Sequence, residues 1–141
     1  MDTVFISERQ SFSAEPFSFK TDPIPENNVI IYLTELLIGL GFKANHRGFV
    51  YLRDSLILSA AIPYTKNKNR ILYEAVSEKY GVTSRNVERT IRYAINTAFE
   101  SGSESEWGKV FVYIKNGVGH IPSNAEFIGT VSDRLRFKSI S

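Results

Sequence analysis

Three arginines and an asparagine recur at a helical spacing within a helix predicted for residues 83–99. At about 100° per residue they share an arc of about 60°, and they are Arg85, Arg89, Arg92 and Asn96. Hydrophobic residues lie on the opposite side, and they are Val87, Ile91, Ala94 and Ala98. Because a guanidinium can donate two parallel hydrogen bonds to guanine O6 and N7, this face suits the recognition of bases in the DNA major groove.

A carboxylate borders this basic face. Glu88 can accept a hydrogen bond from cytosine N4, or it can orient Arg89. Since a carboxylate repels phosphates, its position favours base reading over indiscriminate backbone binding. The alternative is a solvated surface helix that is tied by pairs such as Glu88–Arg92.

Positive charge is concentrated around this helix. Residues 66–92 carry seven basic and three acidic side chains, a net charge of +4, whereas the whole chain carries only +2. A local basic field in a nearly neutral chain is compatible with one anionic surface partner, and a solvated helix face is the alternative. Four cations flank the helix, and we predict that they contact phosphates; they are Lys66, Lys68, Arg70 and Arg47.

The elements that would position this helix form a helix-turn-helix. A helix over 69–80 is followed by Gly81, which permits a tight turn, and by Val82, which can anchor that turn in the core. Thr83 or Ser84 supplies the N-cap oxygen of the recognition helix. The crossing point needs a small residue on the first helix, and Ala75 and Ser77 both qualify.

Further helices complete an all-α domain of about five to six helices. Apolar spacing predicts helices over 26–40 and 49–62, with Ile31, Leu36 and Ile38 widening the apolar face of the first. Residues 104–108 are predicted as a helical turn, and 109–115 have the composition of a strand. A last helix follows Pro122, where Ser123 and Glu126 form a capping box.

The N-terminal segment differs from the rest of the chain. Residues 1–25 carry four phenylalanines without helical spacing and a net charge of −2, so we predict a flexible or weakly structured tail ahead of a domain spanning 26–141. Short strands at 4–6 and 17–20 are an alternative. The aromatic content leaves a docking role open, since disordered tails are usually poor in aromatic residues.

Several function classes lack the residues that they require. The chain has no cysteine and two histidines outside any metal-ligand spacing. Gly117-Val118-Gly119 lacks the lysine or third glycine of a phosphate-binding loop. We therefore predict neither an enzyme nor a metal or cofactor site. Without a membrane-spanning apolar window or a secretory signal, we expect no membrane partner and a cytoplasmic protein.

Four blocks in the same order give the chain from about residue 30 to 137 a family resemblance. They are GFVYLRD at 48–54, VERTIRYAI at 87–95, PSNAEFI at 122–128 and DRLR at 133–136. Together they resemble the C-terminal DNA-binding effector domain of the stage-zero sporulation protein A family, the response regulators of endospore formation. The resemblance implies a six-helix fold, double-stranded promoter DNA as the partner, and a homodimer or tandem copies on that DNA.

The resemblance also implies roles for individual residues. Glu88 and Arg89 fall on the base-reading pair of the family, and Arg92 on a DNA-facing arginine. His46-Arg47 and Ser123-Asn124 fall on backbone contacts. With the residue-based reasoning, the predicted base readers are Arg85, Asn86, Glu88, Arg89 and Arg92. The predicted backbone contacts are His46, Arg47, Lys66, Lys68, Ser84, Asn96, Ser123 and Asn124.

Two departures from the family pattern affect the functional prediction. Arg85 stands where serine is usual and Asn86 where arginine is usual, so the preferred DNA element is expected to differ. The segment before the first helix is too short for a phosphoacceptor receiver, so we expect no control by an attached receiver. One hypothesis is competition with a full-length regulator of the same family. The alternative function is a protein-interaction module or an antagonist of such a regulator, with DNA binding altered or lost.

Overall fold

The computed structural model describes residues 26–114 and 119–140, and every regular element within these ranges is a helix. The helices are α1 (Glu26–Gly39), α2 (Arg47–Ala61), α3 (Lys68–Tyr80), α4 (Ser84–Ser101), α5 (Glu104–Val110) and α6 (Asn124–Ile140). The predicted all-α class is therefore confirmed. The predicted tail over 1–25, with its alternative strands, lies outside the described residues.

The first helix buries a narrower stripe than the sequence indicated. Leu33, Leu37 and Leu40 are fully or almost fully buried, as the helical spacing predicts. Of the residues predicted to widen the apolar face, Leu36 packs against the core, whereas Ile31 and Ile38 are about half exposed. Only one side of α1 faces the rest of the core, because its packing is mainly against α2.

An aromatic cluster fills the core between α1, α5 and α6. The Trp107 ring packs against Phe42, Phe99, Phe111 and Phe127. Its indole Nε1 donates a hydrogen bond to the Leu40 carbonyl oxygen over 2.8 Å. This bond satisfies a buried donor and ties α5 to the end of α1.

The strand predicted over residues 109–115 is absent from its described part, residues 109–114. Val110 ends α5, and the next backbone hydrogen bonds join Phe111 N to Trp107 O and Ile114 N to Phe111 O. Phe111 and Ile114 are buried. Their spacing from Trp107 is four and seven residues, so the apolar pattern is helical, and burial against the aromatic cluster outweighs strand propensity.

The helix-turn-helix is formed by α3 and α4, as predicted. Gly81 ends α3 in the left-handed region at φ 67° and ψ 34°, and its N–H donates to the Ser77 carbonyl oxygen. Thr83 is the N-cap of α4, because its side-chain oxygen accepts from Asn86 N over 3.0 Å. The backbone thereby reverses within three residues at little steric cost.

A partly buried carboxylate holds the end of α3 against α2. Asp54 accepts hydrogen bonds from Lys79 Nζ, over 3.0 Å, and from the Tyr80 hydroxyl. The Tyr80 ring also packs on Tyr51. Partial burial, together with the bond to Asp54, raises the pKa of Tyr80. These contacts set the position of the turn that leads into α4.

The start of α6 carries the predicted capping box. Ser123 Oγ accepts from Glu126 N over 3.1 Å, and Glu126 Oε1 accepts from Ser123 N over 2.8 Å. The bond from the Ser123 N–H, with a further contact from His120, holds the pKa of Glu126 below its usual range. Both hydrogen bonds of the capping box are thus formed, and they fix the direction in which the chain enters α6.

Gly48 permits α2 to lie directly against α4. A Cβ built on Gly48 would stand 2.5 Å from Ala94 Cβ and 3.1 Å from the Thr90 carbonyl oxygen. These separations are well inside van der Waals contact, so any side chain here would push the two helices apart. The small residue was predicted on α3, whereas this close contact of α4 is with α2.

We predict that Gly48→Ala lowers the free energy of unfolding by about 1–3 kcal/mol, because the added methyl group overpacks the α2–α4 contact. The matched control is Gly129→Ala in α6, where a Cβ meets nothing within 4 Å. That change should raise the free energy of unfolding by up to about 1 kcal/mol through helix propensity. Urea unfolding at constant m-value measures both, and equal effects of the two substitutions would contradict the close packing at Gly48.

Candidate nucleic-acid interface

The helix α4 has a buried side and an exposed side, as its spacing predicted. The buried residues are Val87, Ile91, Ile95 and Ala98, and they face the core with Ala94 partly buried beside them. The exposed residues of its first three turns are Arg85, Asn86, Glu88, Arg89 and Tyr93. Because the buried stripe leaves α4 no freedom to rotate about its axis, the second set is presented outward together.

Two of the exposed arginines have no internal partner. Within residues 26–114 and 119–140, no hydrogen bond or ion pair engages the side chain of Arg85 or Arg89. The side chain of Glu88 is likewise exposed, and the Glu88–Arg92 pair considered above does not form in the described structure. The guanidinium donors of Arg85 and Arg89 therefore face solvent with their full hydrogen-bonding capacity.

Arg92 lies at the edge of this face and is tied to its surroundings. Its Nη2 donates to Asn96 Oδ1 over 2.7 Å and to the Pro122 carbonyl oxygen over 2.9 Å. Arg92 and Asn96 are both half-buried. The sequence placed them on the exposed face with Arg85 and Arg89, but here they join α4 to the segment that leads into α6.

Asn124 makes the second link between α6 and the recognition helix. Its side chain is buried, and Nδ2 donates to the Glu88 carbonyl oxygen over 3.1 Å. Ser123, next to it, is exposed, and its hydroxyl is engaged in the capping box. The predicted pair Ser123-Asn124 thus lies beside α4, with only Ser123 open to solvent.

The predicted phosphate-contacting cations differ in accessibility. His46, Arg47 and Lys66 are exposed. Lys68 is only 9% exposed, and its Nζ donates to the Ile62 carbonyl oxygen over 3.2 Å. Burial, reinforced by the nearby Arg136, lowers the pKa of Lys68. Lys68 therefore stabilises the carboxyl end of α2, where a cation is favourable, and is not exposed on the surface.

Ser84, in the first turn of α4, is half-buried.

Sequence reasoning missed two residues on the same side of the molecule. Tyr93 is 71% exposed and lies about 40° around the helix from Arg89. The exposed Lys43 belongs to the loop before α2 and lines a cleft of about 340 Å³ between that loop and α4. Tyr93 could have been found by extending the helical-angle argument to aromatic residues, whereas only the folded loop brings Lys43 near α4.

The exposed face of α4 and the cations beside it have the properties of a binding surface. In the described part of the chain, no group of three histidine, aspartate or glutamate residues could hold a metal ion. The helices that the structure describes include none long and apolar enough to cross a bilayer. Arginine donors without partners on an exposed helix, with further cations beside them, can bind polyanions and form directional hydrogen bonds.

Comparison with known families agrees with this geometry. The family described as "Sporulation initiation factor Spo0A C terminal" matches residues 33–135, which is well over half of the chain. The match includes the complete helix-turn-helix and most of α6. The chain therefore belongs to the Spo0A C-terminal family and is a DNA-binding effector domain of the Spo0A type.

Proposed function

We propose that this protein is a sequence-specific transcription regulator that reads the major groove of promoter DNA with the exposed side of α4. The observation that carries this proposal is the pair of exposed arginines, Arg85 and Arg89, that have no partner in the described structure. A surface helix stabilised by its own ion pairs would have engaged them internally. Exposed aromatic residues would favour a protein-interaction module. Trp107, one of the candidates, is buried, whereas Phe5, Phe12, Phe17 and Phe19 lie outside the described residues.

The proposed base readers occupy the amino-terminal half of α4. Arg85 and Arg89 would donate to guanine, Glu88 would accept from cytosine N4 or orient Arg89, and Asn86 is suited to adenine N6 and N7. These side chains are exposed, so they can reach base edges without breaking internal contacts. Asn86 also keeps its backbone N–H in the Thr83 cap, which orients its side chain at the start of the helix.

The other predicted site residues fall into two groups, those whose side chains are exposed and those that are half-buried or buried. We assign His46, Arg47, Lys66 and Ser123 to the DNA backbone, together with the backbone N–H groups near Ser84. Arg92, Asn96 and Asn124 act as positioning residues, because their polar atoms join α4 to residues 122–124. Lys68 stabilises α2 and takes no direct part in our proposal.

We predict that Arg89→Ala costs about 1–3 kcal/mol of binding free energy on a preferred duplex. The loss should be smaller on a scrambled duplex, because base contacts contribute only when the correct base is present. The preferred duplex is first selected from a random-sequence library with the wild-type protein, and affinities are then measured by fluorescence anisotropy at low and near-physiological salt.

The control for this experiment is Arg134→Ala. It removes the same charge from α6, where Arg134 is near the Lys109 carbonyl oxygen and away from the exposed face of α4. We expect the control to bind as the wild type does, apart from a small salt-dependent change. Equal losses of Arg89→Ala on both duplexes would contradict base reading by Arg89. A wild type that selects no preferred sequence would favour the protein-interaction alternative.

Arg47→Ala should behave differently from Arg89→Ala. Because a phosphate contact is independent of sequence, we predict equal weakening on preferred and scrambled duplexes and a salt slope reduced by about one. Titrations at four or more salt concentrations give the slope. An unchanged slope, or a loss confined to the preferred duplex, would exclude Arg47 as a backbone contact.

A further inference from the structure

The cleft between the loop before α2 and the recognition helix adjoins the exposed face of α4. The loop contributes Lys43, His46 and Arg47, and α4 contributes Thr90, Tyr93 and Thr97. Its lining also includes Phe49, which is buried, and Ala94, which is partly buried. The cleft therefore combines cationic and hydroxyl groups with apolar side chains.

The charge of the cleft has one sign. Among the described residues that line it, two are permanently cationic, one is a histidine, and none carries a carboxylate. The first turn of α2 adds to this field, since it contains no acidic residue and the N-cap residue His46 makes no side-chain cap. The positive end of the α2 dipole is thus not neutralised locally. A ligand with negative charge and an apolar part fits this lining.

The two sides of α4 meet different parts of the protein. On one side, Arg92 and the Glu88 carbonyl oxygen are bonded to residues 122–124. On the other side, Thr90 and Tyr93 face the cleft. A helix seated in a major groove about 12 Å wide has one sugar-phosphate strand on each side. The cleft lies where one of these strands must pass.

We infer that the cleft holds the sugar-phosphate backbone of one DNA strand, with a phosphate between Lys43 and Arg47 and a deoxyribose against Tyr93 and Ala94. This inference rests on the proposed function and adds two contact residues, Lys43 and Tyr93. The phosphate accounts for a lining that carries cations and no carboxylate. The deoxyribose accounts for the apolar residues of the lining, which a phosphate alone would not contact.

The test pairs protein variants with single neutral phosphates in the DNA. Methylphosphonates are placed one at a time along both strands of the selected duplex, and binding of the wild type, Lys43→Ala and Tyr93→Ala is measured. The wild type should lose affinity at a few adjacent phosphates of one strand. Lys43→Ala should bind the unmodified duplex about tenfold more weakly, and it should be insensitive to neutralisation at one of those phosphates, because the two changes remove the same contact.

Tyr93 is tested by a conservative pair. If its ring packs on a sugar, Tyr93→Phe should bind like the wild type, while Tyr93→Ala should lose affinity to a similar degree on preferred and scrambled duplexes. Lys43 and Tyr93 are both exposed, so neither change should alter the fold. The control is Arg134→Ala, which should keep the complete wild-type phosphate pattern.

The outcomes separate this inference from the proposed function. If the wild type prefers the selected duplex but Lys43→Ala still loses affinity at every phosphate that matters to the wild type, the inference is overturned. The proposed function then remains in place. A change in selected sequence for Tyr93→Ala also overturns it, because Tyr93 would then contact a base. Absence of any sequence preference in the wild type contradicts both, since the inference requires a fixed register on the DNA.

Discussion

The contact between Gly48 and Ala94 is the constraint on which the orientation of the recognition helix depends. With no side chain at Gly48, α2 lies directly on the middle of α4, and the stripe from Val87 to Ala98 fills the core around the contact. A helix held this closely cannot rotate without burying charged groups or exposing the stripe, and both are costly. The outward direction of Arg85 and Arg89 is therefore a consequence of packing at Gly48, a buried residue of another helix.

Polar contacts between α2 and α3 hold the turn that leads into α4. Asp54 accepts hydrogen bonds from Lys79 and Tyr80 at the end of α3, just before the chain turns at Gly81. Lys79 thus serves to position the helix-turn-helix, and Lys68 stabilises the end of α2. Lys79 remains exposed but is paired with Asp54, whereas Lys68 is buried and Arg92 is half-buried. The cations of residues 66–92 that are both exposed and unpaired are therefore fewer than the sequence count indicates.

The parts of the structure that could be predicted from sequence are those set by local patterns. The amphipathic spacing of α4, the glycine turn at Gly81 and the capping box at Ser123 each involve residues within one or two helical turns. Contacts between distant segments could not be predicted in this way. The partners of Arg92 and Lys68, the Gly48–Ala94 contact and the proximity of Lys43 to α4 all depend on tertiary packing. The strand predicted over 109–115 failed for the same reason, because the aromatic cluster around Trp107 determines that segment.

The distribution of contacts along α4 bears on how such a domain can change its DNA preference. Arg92 donates to Asn96 and to the Pro122 carbonyl oxygen, and Asn124 donates to the Glu88 carbonyl oxygen. Replacing Arg92 or Asn124 would therefore disturb the seating of the helix as well as its surface. Arg85 and the side chain of Asn86 have no such contacts in the described structure. These are also the two positions at which a departure from the family pattern is predicted from the sequence. Substitutions there would change the exposed groups of α4 at little cost in stability, because exposed sites without partners tolerate exchange. The predicted departure at Arg85 and Asn86 therefore falls in the first exposed turn of α4, where internal contacts constrain the side chains least.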